Sequence, residues 1–129
     1  MRHIRDLRVR VLFLQHKGTG VHVAQCLEHD VVAHGNSIPE AIEALRLALS
    51  GYLAIALECE TELFEGVPPA PQHFHDMFDS WKQKQPVMRS QLRIGACLPE
   101  TAGATNGCAK PGRVVEETEA EAQLVFAEV

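Results

Sequence analysis

The chain has no surplus of positive charge. Twelve lysines and arginines stand against 17 aspartates and glutamates, a formal net charge of −5, the wrong sign for a protein whose main work is gripping phosphates. No apolar run approaches the roughly 20 residues that cross a bilayer. Met1-Arg2-His3-Ile4-Arg5 leads into a strand rather than into the apolar region of a signal peptide, so the expected location is cytoplasmic, with no membrane partner. Cys26, Cys59, Cys97 and Cys108 share no C-x-x-C spacing and are read as free thiols. There is no GxGxxG or P-loop, and no serine or cysteine with a local histidine and orienting acid, so neither a phosphate cofactor nor a nucleophilic enzyme is expected.

A metal site is also poorly supported. Among the seven histidines and the cysteines, Cys26, His29 and His34 form the closest group, at successive spacings of three and five, but no second compact pair joins them. His73 and His75, two apart, diverge on a helix. The expectation is no metal and no cofactor.

At 129 residues and 46% hydrophobic content, the chain can bury one sizeable core. Arg8 to Gln15 alternates Val9, Val11 and Phe13 with Arg8, Arg10, Leu12 and Leu14, the pattern of a central strand. His16 to Gly20 is a turn, and Val21 to Leu27 alternates again. Polar Glu28, His29 and Asp30 end that run, and Val31 to Ala33 offers a third, short strand. Gly35 and Asn36 tolerate positive φ and can redirect the chain. Ser37 with Glu40 three residues on forms a capping box, and Pro39 suits a first turn. From there Ile38, Ala41, Ile42, Leu45, Ala48, Leu49, Tyr52, Leu53 and Ala56 recur at helical spacing, predicting a helix to about Leu57 or beyond. Gly51 inside it costs about 1 kcal/mol relative to Ala and marks either close packing or a weakened last stretch.

This order of strand, polar turn, short strand, Gly35-Asn36-Ser37, Pro39-Glu40-Ala41 and a Leu-rich helix ending near Gly51-Tyr52-Leu53 resembles the HicB-like antitoxin domain. The resemblance covers roughly Val9 to Leu57. It implies an α+β, partial RNase H fold in the order β-β-β-α-β, with protein–protein binding and oligomer formation. The expected fold is a three-stranded antiparallel meander, one long helix, and a fourth strand at Gln91 to Leu98 parallel to the first. A sheet with one helical layer leaves its other face short of cover, which points to a homodimer or higher homo-oligomer. Gln72 to Lys84, with Phe74, Met77, Phe78 and Trp81 spaced by three and four, is read as a short helix serving as core or lid.

Residues 1–98 are therefore expected to form the domain, and residues 99–129 a flexible linker and acidic tail. Val114 to Val129 in that tail is open between an added edge strand, a partner-binding tail and disorder. An RNase-H-like nuclease needs carboxylates on the first strand, the helix and near the last strand to hold two metal ions. Arg8 to Gln15 and Gln91 to Leu98 contain none, and Glu40 is occupied by the cap, so no catalysis is expected. HicB-like proteins that repress their own operon carry a DNA-binding module after the core. No basic recognition helix follows Leu98 here, so no direct nucleic-acid binding is expected.

Residues 36–66 carry a charge of 1 − 6 = −5 and residues 96–129 a charge of 2 − 6 = −4. The resemblance makes the concrete expectation an antitoxin of a HicA-HicB-type toxin-antitoxin system, which neutralises a small basic, RNA-cleaving toxin. Glu58, Glu60, Glu62 and Glu65, or Glu116, Glu117, Glu119 and Glu121, are the residues expected to meet it. Two alternatives stand beside it: an orphan HicB-like domain that binds another protein or a small ligand, and a metal-dependent hydrolase working through the histidine-rich hairpin.

Overall fold

The computed structural model describes residues 7–98 and 113–128. They form β1 (Leu7–Gln15), β2 (His22–Cys26), β3 (Val32–Gly35), α1 (Ile38–Cys59), α2 (Gln72–Lys82), β4 (Met88–Leu98) and β5 (Arg113–Glu128). The strands make one mixed sheet in the order β3-β2-β1-β5-β4.

The first three strands are the antiparallel meander that the period-two pattern predicts. Phe13 sits opposite Ala24, and Ala24 opposite Ala33, so the small side chains leave room for the ring. Gly20, at φ 73°, turns the chain between β1 and β2, where its N–H donates to the His16 carbonyl at 3.0 Å.

Because strand side chains alternate, the sheet has two chemically distinct faces. Val9, Val11 and Phe13 of β1, Ala24 and Cys26 of β2, Leu92 and Ile94 of β4, and Ala120, Ala122 and Leu124 of β5 gather under α1. The helix meets them with Ala41, Leu45, Leu49 and Leu53, all nearly or fully buried. Full burial of each leucine contributes about 1.5–3 kcal/mol. The second face presents Leu12, Val125 and Ala127 to α2, whose Phe78 is 1% exposed. The aromatic residues spaced by three and four on α2 are thus a lid over the sheet, and Pro86 follows soon after the helix ends. α2 covers the β1 and β5 part of the face that was expected to be short of cover.

Two further expectations are corrected. The strand parallel to β1 is not Gln91 to Leu98 but β5, paired in register from Leu7 with Ala120 to Gln15 with Glu128. β4 lies outside β5 and runs antiparallel to it. Of the segment expected to be linker and tail, residues 113–128 are this interior strand, paired with β4 up to Leu124 and with β1 from Ala120, and the expected linker 99–112 lies outside the described residues.

β4 is an edge strand, and α1 closes part of that edge. Arg46 Nη1 donates to the Arg93 carbonyl at 3.2 Å, and the Gly95 N–H donates to Ser50 Oγ at 3.3 Å. Edge groups satisfied in this way are withheld from pairing with other chains.

The helix start follows the capping signal. Ser37 is extended at φ −149°, and its Oγ accepts the Glu40 N–H at 3.2 Å, with Pro in the first turn. Ser37→Ala should therefore cost about 1 kcal/mol. A thermal melt read by circular dichroism checks this, and an unchanged midpoint would mean the cap contributes nothing.

Candidate functional site

Strand directions fix what lies at each end of the sheet. At one end are the starts of β1 and β5, the β2–β3 turn and the C-terminus of α1. At the other are the ends of β1, β3 and β5 and the start of α1. Each end has a distinct chemistry.

The first end is acidic. Between Arg46 and Lys82 the chain has no lysine or arginine and six carboxylates. Glu58 occupies the last turn of α1, and Glu60 is its left-handed cap at φ 55°, its N–H donating to the Ala56 carbonyl. Glu62 and Glu65 follow, and all four side chains are exposed. The last turn of α1 holds no basic residue, so the negative end of the helix dipole adds to these charges.

The turn bearing these acids is strapped down. The Asp30 N–H donates to the Pro68 carbonyl at 2.7 Å, and the Ala70 N–H to that of Leu27 at 3.0 Å. His29 stacks on Phe64 with ring centroids 3.9 Å apart, and Phe64 also meets Tyr52 at 5.6 Å. Glu28 holds the turn to β1, its two carboxylate oxygens accepting Arg10 N–H at 2.6 Å and Arg10 Nε–H at 2.5 Å. Arg10 Cζ lies 5.8 Å from the centre of the Phe78 ring, linking this anchor to α2.

Burial against Phe64 holds the His29 imidazole below its ordinary pKa, outweighing the opposing charge of Glu28. The unfolded chain then takes up a proton more readily than the folded one, so His29 contributes stability above the ordinary histidine value that is lost as pH falls through the folded value. Melts from pH 7.5 to 5 should show a smaller acid loss in His29→Gln than in the native chain. Equal losses would remove His29 as the cause.

The second group of predicted acids does not join the first. β5 places Glu119 on the α2 side of the sheet, 3.8 Å from Arg93, and Glu121 beside Arg8 and Gln91 in register. The side chains of Glu116 and Glu117 lie outside the described residues. The sheet's thickness separates Glu119 and Glu121 from α1, and both sit among arginines. An exposed pair such as Arg93–Glu119 contributes little.

The candidate metal ligands are likewise apart. Cys26 is buried under α1, His29 is stacked on Phe64, and His34 is exposed on the opposite face of the edge strand β3. Among the described residues no group of three or more His, Cys, Asp or Glu gathers to hold a metal ion. Burial pushes the Cys26 thiol up to about 11, whereas Cys59 is exposed.

The opposite end of the sheet holds a cleft of about 390 Å³ that the sequence reading missed. Phe13 and Phe126 stack there with centroids 5.2 Å apart, and the lining is completed by Trp81 of α2, Gln85 beyond it, Ile38 at the start of α1, Gln15, His22 and Ala127. Gln85 Nε2 donates to the Phe126 carbonyl, fixing the segment after α2 to β5. Among the described residues the lining offers aromatic surface, two amides and one imidazole, with no carboxylate, thiol or hydroxyl side chain. Such a wall can select a ligand only by shape, apolar contact and a few neutral hydrogen bonds. The signal available in the sequence was the alternation of Leu124 and Phe126 with Val125 and Ala127. Comparison with protein-family models, curated proteins and solved structures found no match to this chain.

Proposed function

We propose that this chain is a HicB-like protein-binding domain that neutralises a small basic, RNA-cleaving toxin and has no catalytic role of its own. The observation that carries the reading is the acidic end: Glu58, Glu60, Glu62 and Glu65, exposed at the negative end of α1 and held in place by the His29–Phe64 strap. A surface that contacts RNA phosphates is basic, and carboxylates on a rigid turn compete for the same groups. The fold order supports the reading too. A meander, a long helix and a strand parallel to the first suit a partial RNase H arrangement, with β5 as the parallel strand.

The test is functional. The protein encoded by the neighbouring reading frame, purified alone, should cleave RNA, and an equimolar amount of this chain should stop the cleavage. A neighbour that leaves RNA intact, or cleavage that continues at excess chain, rejects the reading.

The aromatic cleft favours a second reading, a domain that binds a small ligand. Trp81 is the only tryptophan and lines that cleft, so its fluorescence reports occupancy. Screening uncharged aromatic compounds without any change in emission would remove this reading.

A further inference from the structure

The outer side of α1 lacks what a solvent-facing helix needs. From Leu47 to Leu57 no charged residue occurs, although only one side of this stretch packs on the sheet. Leu47 is 57% exposed and Ile55 56% exposed. A helix apolar all round is ordinarily buried all round.

Gly51 lies midway between them and is exposed, and a Cβ added to it would meet nothing within 4 Å. The close packing that would explain a glycine here is therefore absent among the described residues, yet glycine in a helix costs about 1 kcal/mol relative to alanine. Leu47, Gly51 and Ile55 follow one another at intervals of four, the ridge that packs two helices at about −50°. The order apolar, glycine, apolar is symmetric about Gly51. A two-fold axis through that point sets each apolar residue against the other kind, the relation an isologous contact requires.

We propose that a second copy of this chain docks on the outer side of α1, in an antiparallel crossing centred on Gly51 that sets Leu47 of each copy against Ile55 of the other. Other occupants fit less well. Residues 1–6 and 99–112 contain only Met1 and Ile4 as large apolar side chains, too few to cover the ridge. A basic partner is drawn to the acidic end, and this stretch offers it no charge. The inference is independent of the toxin reading.

Sedimentation equilibrium of the full chain across micromolar to millimolar concentration tests it, with circular dichroism confirming the fold of each variant. The native chain should dimerise. Leu47→Lys or Ile55→Glu alone should weaken the dimer about tenfold or more, because each buries an unpaired charge. The double variant should regain dimerisation, since lysine and glutamate then meet twice across the axis. Gly51→Ala should weaken the dimer while raising the melting temperature of the dilute monomer. A native chain that stays monomeric overturns the proposal, as does a double variant no better than the single ones. A Gly51→Ala chain that dimerises as tightly as the native one also contradicts a crossing at that residue.

Discussion

Truncation after Leu98 is expected to leave a chain with no cooperative melting transition. The loss removes β5, the strand between β1 and β4, whose Ala120 to Glu128 stretch pairs with the whole of β1. Ala120, Ala122, Leu124, Val125 and Ala127 are each at most 5% exposed, and they supply both helical layers with part of their floor. Without them α1 and α2 face open backbone, whose unpaired groups cost free energy when buried. A point variant separates loss of the strand from loss of the whole segment. Val125 is 0% exposed, and Val125→Asp buries a carboxylate with no partner, a cost on the order of 3–5 kcal/mol. Domain stability is about 5–15 kcal/mol, so the variant should be largely unfolded at moderate temperature. Chemical denaturation followed by near-ultraviolet circular dichroism checks both. A truncated chain that melts cooperatively would remove β5 from the core.

Gly35→Val should be the most damaging change among Gly18, Gly20, Gly35, Gly51 and Gly66. A Cβ at Gly35 would lie 2.7 Å from the Ala41 backbone nitrogen and 2.9 Å from the Glu40 carbonyl carbon. Those atoms belong to the first turn of α1 and cannot move without disturbing the Ser37 cap. Overpacking of this kind costs about 3 kcal/mol, which lowers Tm on the order of 10 °C for a domain of this size. Gly18→Ala is the control, since its Cβ would meet nothing closer than His16 Cε1 at 3.6 Å. A Gly35→Val chain that melts with the Gly18→Ala chain would show that β3 and α1 are further apart than described.

Gly35 also illustrates how far the sequence could be read. Its importance was legible, but the reason was not: among the described residues the glycines with positive φ are Gly20 and Gly66, whereas Gly35 serves a close approach of strand to helix. The meander and α1 were legible because apolar period and capping residues agree over a contiguous stretch. β5 was not, because its floor under α1 is largely alanine, a weak strand former, and Glu117, Glu119 and Glu121 make the stretch resemble a solvated tail. The parallel pairing of β1 with β5 joins segments more than a hundred residues apart and leaves no local mark. At the candidate site, Glu58, Glu60, Glu62 and Glu65 were legible as a charge run. The strap beneath them rests on backbone bonds such as Asp30 to Pro68 and on a stack between His29 and Phe64, which no spacing rule announces. The aromatic cleft draws on β1, β2, α1, β5 and the region of α2, so it exists only once the fold is assembled.

The most direct measurement is capture of the protein encoded by the neighbouring reading frame, co-expressed with this chain and purified at low and high salt. The native chain should retain a small basic protein at low ionic strength and lose much of it well above 0.1 M, where the Debye length is about 10 Å. Replacing Glu58, Glu60, Glu62 and Glu65 together by lysine should abolish capture at every salt concentration. These side chains are exposed, so the fold should survive, as circular dichroism would verify. Absence of a co-purifying basic protein, or equal capture by the charge-reversed chain, would contradict the account.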